Sequence, residues 1–176
     1  MKIFNRLTAT AVAMIALSMA PMAYCADEKG EKTVGITAGY NTRNESAVAG
    51  LFFQYRINRL LRIAPDLTYI FRNNHTDGLA LNVNLHMPLP VVSGKINFYP
   101  LAGLNYTSWS FHPKTASPAI IEGDDVTTRK SRLGLNIGGG LDIYATSTLR
   151  LFIEGKYTGV RHYSTCAFTA GIGYRF

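Results

Sequence analysis

The chain has 176 residues and a formal charge of +7, from 18 Lys and Arg against 11 Asp and Glu. Its mean hydropathy is +0.05. That length suits one domain, and that hydropathy is too low for a helical membrane protein. The basic residues form neither a run nor a helix face, so nucleic acid is set aside as a partner.

Residues 1–25 read as a secretory signal. Lys2 and Arg6 form the positive start, Leu7 to Ala20 is a short apolar run, and Ala23-Tyr24-Cys25 resembles a cleavage site. The run is short for a transmembrane anchor. A lipoprotein signal at Cys25 wants a small residue where bulky Tyr24 stands. The mature chain, 26–176, then starts near Ala26 and keeps one cysteine, Cys166, which excludes an intramolecular disulfide. Asp27 to Lys32 is a short charged lead-in, expected to be disordered.

Eight segments follow, each alternating with a period of two. Their apolar faces run from Val34 to Tyr40, Ala47 to Ile57, Leu61 to Phe71, Leu79 to Met87, Ile96 to Tyr106, Leu133 to Ile143, Leu149 to Tyr157 and Cys166 to Phe176. No position on these faces carries a charge. The opposite faces carry Arg56, Arg62, Asp66, Arg72, Arg132, Asp142, Arg150, Glu154, Lys156 and Arg175, with Asn, Gln and many Gly. A solvated face is usually rich in Lys and Glu; this one is not. Aromatic residues on the apolar face cluster near the segment ends, as at a lipid–water boundary. Connections alternate between short (58–60, 87–95, 144–148) and longer (41–46, 72–78, 107–131, 158–164). The reading is therefore an all-β, eight-stranded antiparallel up-and-down transmembrane barrel, apolar outside and polar inside. Both termini fall on the short-turn, periplasmic side. Inward glycines leave room for Arg56, Arg62, Tyr99 and Phe152 to reach across, so a plugged lumen is expected. Pro65 and Pro100 each delete a ladder donor, and bulges or kinks are expected there.

The Gly-Gly-Gly-Leu-Asp-Ile-Tyr run at 138–144 and the Tyr-Arg-Phe end, with this architecture, resemble the small eight-stranded outer-membrane barrels: the OmpX, OmpA membrane-domain and opacity-type group. The resemblance implies an outer-membrane address, contact with lipid and lipopolysaccharide, and a closing strand whose Tyr174 and Phe176 belong to the signal read by the barrel-assembly machinery. A monomer without a cofactor is the expectation for the chain.

Three functional readings arise. The lumen charges Arg56, Arg62, Asp66, Arg132, Asp142, Arg150, Glu154, Lys156 and Arg175 form a structural ion-pair network, or line a very narrow anion-preferring pore. His162 and Ser164 share the lipid-facing side near the outer end of the last strand and resemble the His-x-Ser element of PagL, a lipid A deacylase. That reading lacks an orienting carboxylate, since no acid follows Ser164. The loop 107–131 holds Trp109, Phe111, Ile120, Ile121 and an acidic cluster at 122–125 without calcium-ligand spacing. With 72–78, it is the candidate contact for a host or surface ligand. His75, His86 and His112 lack metal-ligand spacing. The favoured reading is a non-enzymatic barrel with a structural or surface-interaction role. Deleting Phe176 should lower barrel yield in the outer membrane without blocking export; normal yield on a heat-shift gel removes its assembly role.

Overall fold

The computed structural model describes residues 29–73, 75–92, 95–111, 128–160 and 164–176. The strands are β1 (Lys32–Asn41), β2 (Ser46–Asn58), β3 (Leu61–Asn73), β4 (Thr76–His86), β5 (Leu89–Val92), β6 (Ile96–Phe111), β7 (Thr128–Tyr144), β8 (Leu149–Gly159) and β9 (Thr165–Arg175). All pairings are antiparallel. Neighbours run β1-β2-β3-β4-β6-β7-β8-β9, and β9 returns to β1. The result is a closed eight-stranded barrel with β5 as an extension of β4. Closure pairs Ile36 with Ile172 and Ala38 with Ala170. It leaves no open edge in the wall, which hydrocarbon requires.

The faces divide by alternation. Ile36, Leu51, Leu104, Leu133, Leu135 and Ile137 point outward and are 58–77% exposed. Arg56, Arg62, Asp142 and Arg150 point inward and are at most 1% exposed. In water this distribution would be inverted: apolar surface would be left wet while ions were desolvated. It suits a wall bathed in lipid. The inward glycines make space for long side chains. A Cβ at Gly140 would stand 2.5 Å from Tyr99 Oη, and one at Gly173 would stand 3.0 Å from the Phe52 ring. Phe52 and Phe152 meet edge to face across the lumen, 5.1 Å between centroids.

Several boundaries differ from the sequence reading. The ladder of β6 and β7 runs on to Phe111 and Thr128, so only 112–127 connects them, outside the described residues. The outward positions there are Ser108, Ser110, Arg129 and Ser131; pairing continues where the apolar signal stops. Trp109 is strand, turned inward and 6% exposed against Val48 and Ile70, and is not part of a loop surface. β3 and β4 reach Asn73 and Thr76, with a register shift between Ile70 and Asn73. That shift breaks the parity and leaves Arg72 exposed, paired with Asp77 at 3.4 Å. The lead-in is structured from Lys29, and Glu31 and Lys32 join the barrel floor.

Pro65 is accommodated without a bulge. The β2–β3 register is the same on both sides of it, and the ladder skips Phe53 and Gln54. Pro100 lies opposite Met87, whose N–H donates to the Pro100 carbonyl at 3.0 Å. The reciprocal bond has no donor, and β4 gives way to β5 there. β5 resumes the same register, His86 with Leu101 and then Leu89 with Phe98.

Replacing Ile137 with Lys should lower unfolding stability in lipid by about 2–4 kcal/mol, against about 0–1 kcal/mol for Ile57→Lys near the rim. Equal, negligible costs at both positions would place the apolar face in water.

The candidate functional site: lumen and loop end

The lumen is filled in layers, beginning at the end that carries both termini. Gly30 N–H donates to the Arg56 carbonyl, Arg56 N–H donates to the Glu31 carbonyl, and Lys32 exchanges two backbone bonds with Phe176. These bonds draw the Glu31 carboxylate beneath the mouth, 3.8 Å from Arg56 Nε and 3.7 Å from Arg175 Nη1. The Arg175 guanidinium also lies over the Tyr144 ring at 5.4 Å.

Above it, Asp142 accepts from Arg62 Nη1 at 2.8 Å and faces Arg150 Nε at 3.6 Å. Arg150 donates to Gln54 Oε1. Arg62 Nη2 is 3.0 Å from His86 Nδ1. A guanidinium only donates, so Nδ1 accepts and the neutral ring carries its proton on Nε2. Tyr99 stacks on His86 at 4.6 Å and lies under the Arg62 guanidinium at 4.9 Å.

At the middle, Tyr99 Oη donates to Glu154 at 3.0 Å. Lys156 Nζ lies 3.7 Å from Glu154 and 3.3 Å from Asp66. Asp66 also accepts from Thr68, Asn82 and Asn84. An amide lattice continues outward: Asn136 donates to Asn82 and Asn84, Asn105 donates to Asn82, and Thr158 donates to Asn136. Val48, Ile70 and Trp109 cover this lattice at the loop end.

The lumen candidates are thus brought together unequally. Arg56, Arg62, Asp66, Asp142, Arg150, Glu154, Lys156 and Arg175 share the contacts above. Arg132 is half-buried nearer the loop end, opposite Thr107 in the β6–β7 ladder. Glu31 is a member that strand parity missed, because it precedes the first strand; its place beside a cation-rich mouth was the available signal. Two lumen cavities of about 20 and 40 Å³ leave room for a few waters.

His162 lies outside the described residues. Ser164 is exposed, and its Oγ donates to the Val160 carbonyl at 3.3 Å. Glu154 is inside the lumen, committed to Tyr99 and Lys156. Tyr174 and Phe176 stack on the lipid face, 6.2 Å apart and 56% and 61% exposed.

A family model for the outer-membrane protein β-barrel domain matches residues 9–176. The chain belongs to that family. Among solved structures it is similar to the N-terminal barrel domain of Pseudomonas aeruginosa OprF, with a TM-score of 0.67 and 14% identity over 84% of this chain and 98% of that one. Neisserial surface protein A gives 0.64 and 16%, over 83% and 96%. Ail of Yersinia pestis gives 0.59 and 15%, over 85% and 100%; Ail has also been solved with the heparin analogue sucrose octasulfate. At these identities the likeness is one of fold. No curated protein matches the sequence.

Lys156→Met should destabilise the barrel by about 3–5 kcal/mol, because it strips the cation from two buried carboxylates. Lys156→Met with Glu154→Gln should recover part of that loss. Urea unfolding of both in one lipid decides; a silent Lys156→Met would mean that water compensates the carboxylates.

Proposed function

We propose that the barrel is a passive scaffold that presents a cationic surface at its loop end to anionic ligands outside the cell. The observation that carries this is the β6–β7 hairpin. Its strands have 16 and 17 residues, whereas a tilted strand crosses a bilayer with about 9–11. The excess lifts the hairpin clear of the membrane band. Arg129 and Lys130 are exposed on it, and Arg43 and Arg72 are exposed on neighbouring connections. Glu45 is the exposed acid of that end among the described residues, and Asp77 is held by Arg72. The layered lumen supports a plug over a conduit, since each ion of its three charged layers has an opposite charge near it.

This reading includes cleavage of residues 1–25, a mature barrel at 26–176, and assembly through Tyr174 and Phe176. The loop end then faces the medium and the termini face the periplasm. The ligands are the phosphates of lipopolysaccharide or a sulfated surface polymer, the latter supported by the sulfated sugar bound to Ail. The hydrolase reading keeps only Ser164 among the described residues, and the carboxylate it would need lies on the other side of the wall.

Binding of the detergent-solubilised barrel to immobilised heparin fragments and to lipopolysaccharide tests the proposal. Arg129→Glu with Lys130→Glu should weaken binding about tenfold or more, and higher salt should weaken the parent. Salt-independent binding, or an unaffected double variant, would refute the cationic site. Loss of an acyl chain from lipid A on expression would restore the enzyme.

A further inference from the structure

The end carrying the termini has a second surface that the lumen network does not use. All four residues of β5 are exposed. Leu89, Val91 and Val92 are 39%, 63% and 46% exposed. β5 pairs with β6 along one edge, and among the described residues nothing pairs with its other edge. The Met87 N–H points to β6. Backbone groups alternate sides along a strand, so Pro88 and Pro90 stand on the open edge, where neither has an N–H to give. That edge is blocked against the addition of another strand.

The side chains around it are apolar and cationic. The outward stripe Leu79, Leu81, Val83, Leu85, Met87, Leu89 and Val91 runs unbroken from the lipid-facing wall into the hairpin. Ile57 and Leu60, 38% and 61% exposed, continue it on the next turn. Lys29, Lys32 and Arg59 are exposed at the same end, and Lys95 is half-buried at the hairpin tip. The described acidic side chains of this end, Glu31 and Asp142, are turned inward onto arginines.

We propose that this rim is a docking surface for anionic phospholipid. Leu89, Val91 and Leu60 enter the upper acyl region, and Arg59, Lys95, Lys32 and Lys29 lie at the phosphates. Two features select lipid over a protein partner. The apolar stripe is continuous with a wall that already faces lipid. The flanking charge is of one sign and complements an anionic headgroup layer. The inference does not depend on ligand binding at the loop end, and vesicles with the same lipid in both leaflets make it independent of orientation.

The test uses Val91→Trp in the refolded barrel. The chain has one tryptophan, Trp109, which is buried in the lumen and serves as the unquenched reference. Vesicles of phosphatidylcholine receive increasing fractions of brominated phosphatidylcholine or brominated phosphatidylglycerol. The added fluorescence should be quenched, with the brominated anionic lipid effective at about tenfold lower fraction, since each cation near an anionic surface contributes about fivefold. Arg59→Glu with Lys95→Glu should abolish that preference while leaving a folded barrel and residual quenching. A tryptophan at 91 that neither lipid quenches would put the hairpin in water, where it suits a periplasmic protein, and would overturn the proposal. Equal quenching by the two lipids, or a preference that survives the double replacement, would overturn it equally.

Discussion

Asp142 holds two arginines inside a wall that water cannot cross. It has no exposed surface, and neither does Arg150; Arg62 has almost none. A lone buried ion is costly by several kcal/mol, and hydrocarbon on the outside offers it nothing. Each charge drawn into the lumen must therefore find its compensation there, within reach of its own side chain. This constraint explains the order of the layers: Glu31 beneath Arg56 and Arg175, Asp142 between Arg62 and Arg150, and Lys156 between Asp66 and Glu154. It also explains the glycines. A narrow barrel can hold arginines and aromatic rings only if the wall they reach has no side chain of its own. Gly140 and Gly173 supply that room beside Tyr99 and Phe52.

The same constraint leaves the two ends to meet partners. A filled lumen and a plain apolar wall have little chemistry to offer beyond stability. At one end the longest strands carry Arg129 and Lys130 out on a hairpin whose outward residues have turned from apolar to serine and arginine. At the other, β5 carries leucine and valine past the wall on an edge that two prolines close to further pairing. Among the described residues both ends are cationic, but they differ in kind. The loop end is polar and raised, suited to soluble or headgroup anions. The terminal end is apolar between its cations, suited to an interface.

Alternation made the barrel wall legible in the sequence, because a one-residue error would have put arginine in lipid on β2, β3, β7, β8 and β9. It failed where geometry departs from a regular pleat. Arg72 keeps the lumen parity in sequence but follows a register shift, and so points out. Trp109 was read as loop because its outward neighbours are serines, although the ladder continues past them. Glu31 precedes the first strand, and only the backbone pairing of Gly30, Lys32 and Phe176 brings it under the mouth. β5 lies within the connection 87–95, where Pro88 and Pro90 interrupt a strand pattern, yet their missing donors face an edge that needs none. The contacts among the lumen side chains were not legible at all. Which carboxylate meets which cation depends on strand order and stagger, and period-two alternation carries neither.

The lumen ions compensate one another directly. A double-mutant cycle on Arg62 and Asp142 measures this most directly, using Arg62→Met, Asp142→Leu and the pair, each unfolded by urea in the same lipid. A coupling of about 1–3 kcal/mol, with the pair more stable than either single variant, is the expected result. A coupling near zero would contradict it: the two charges would then be hydrated separately, and the lumen would be an open aqueous path.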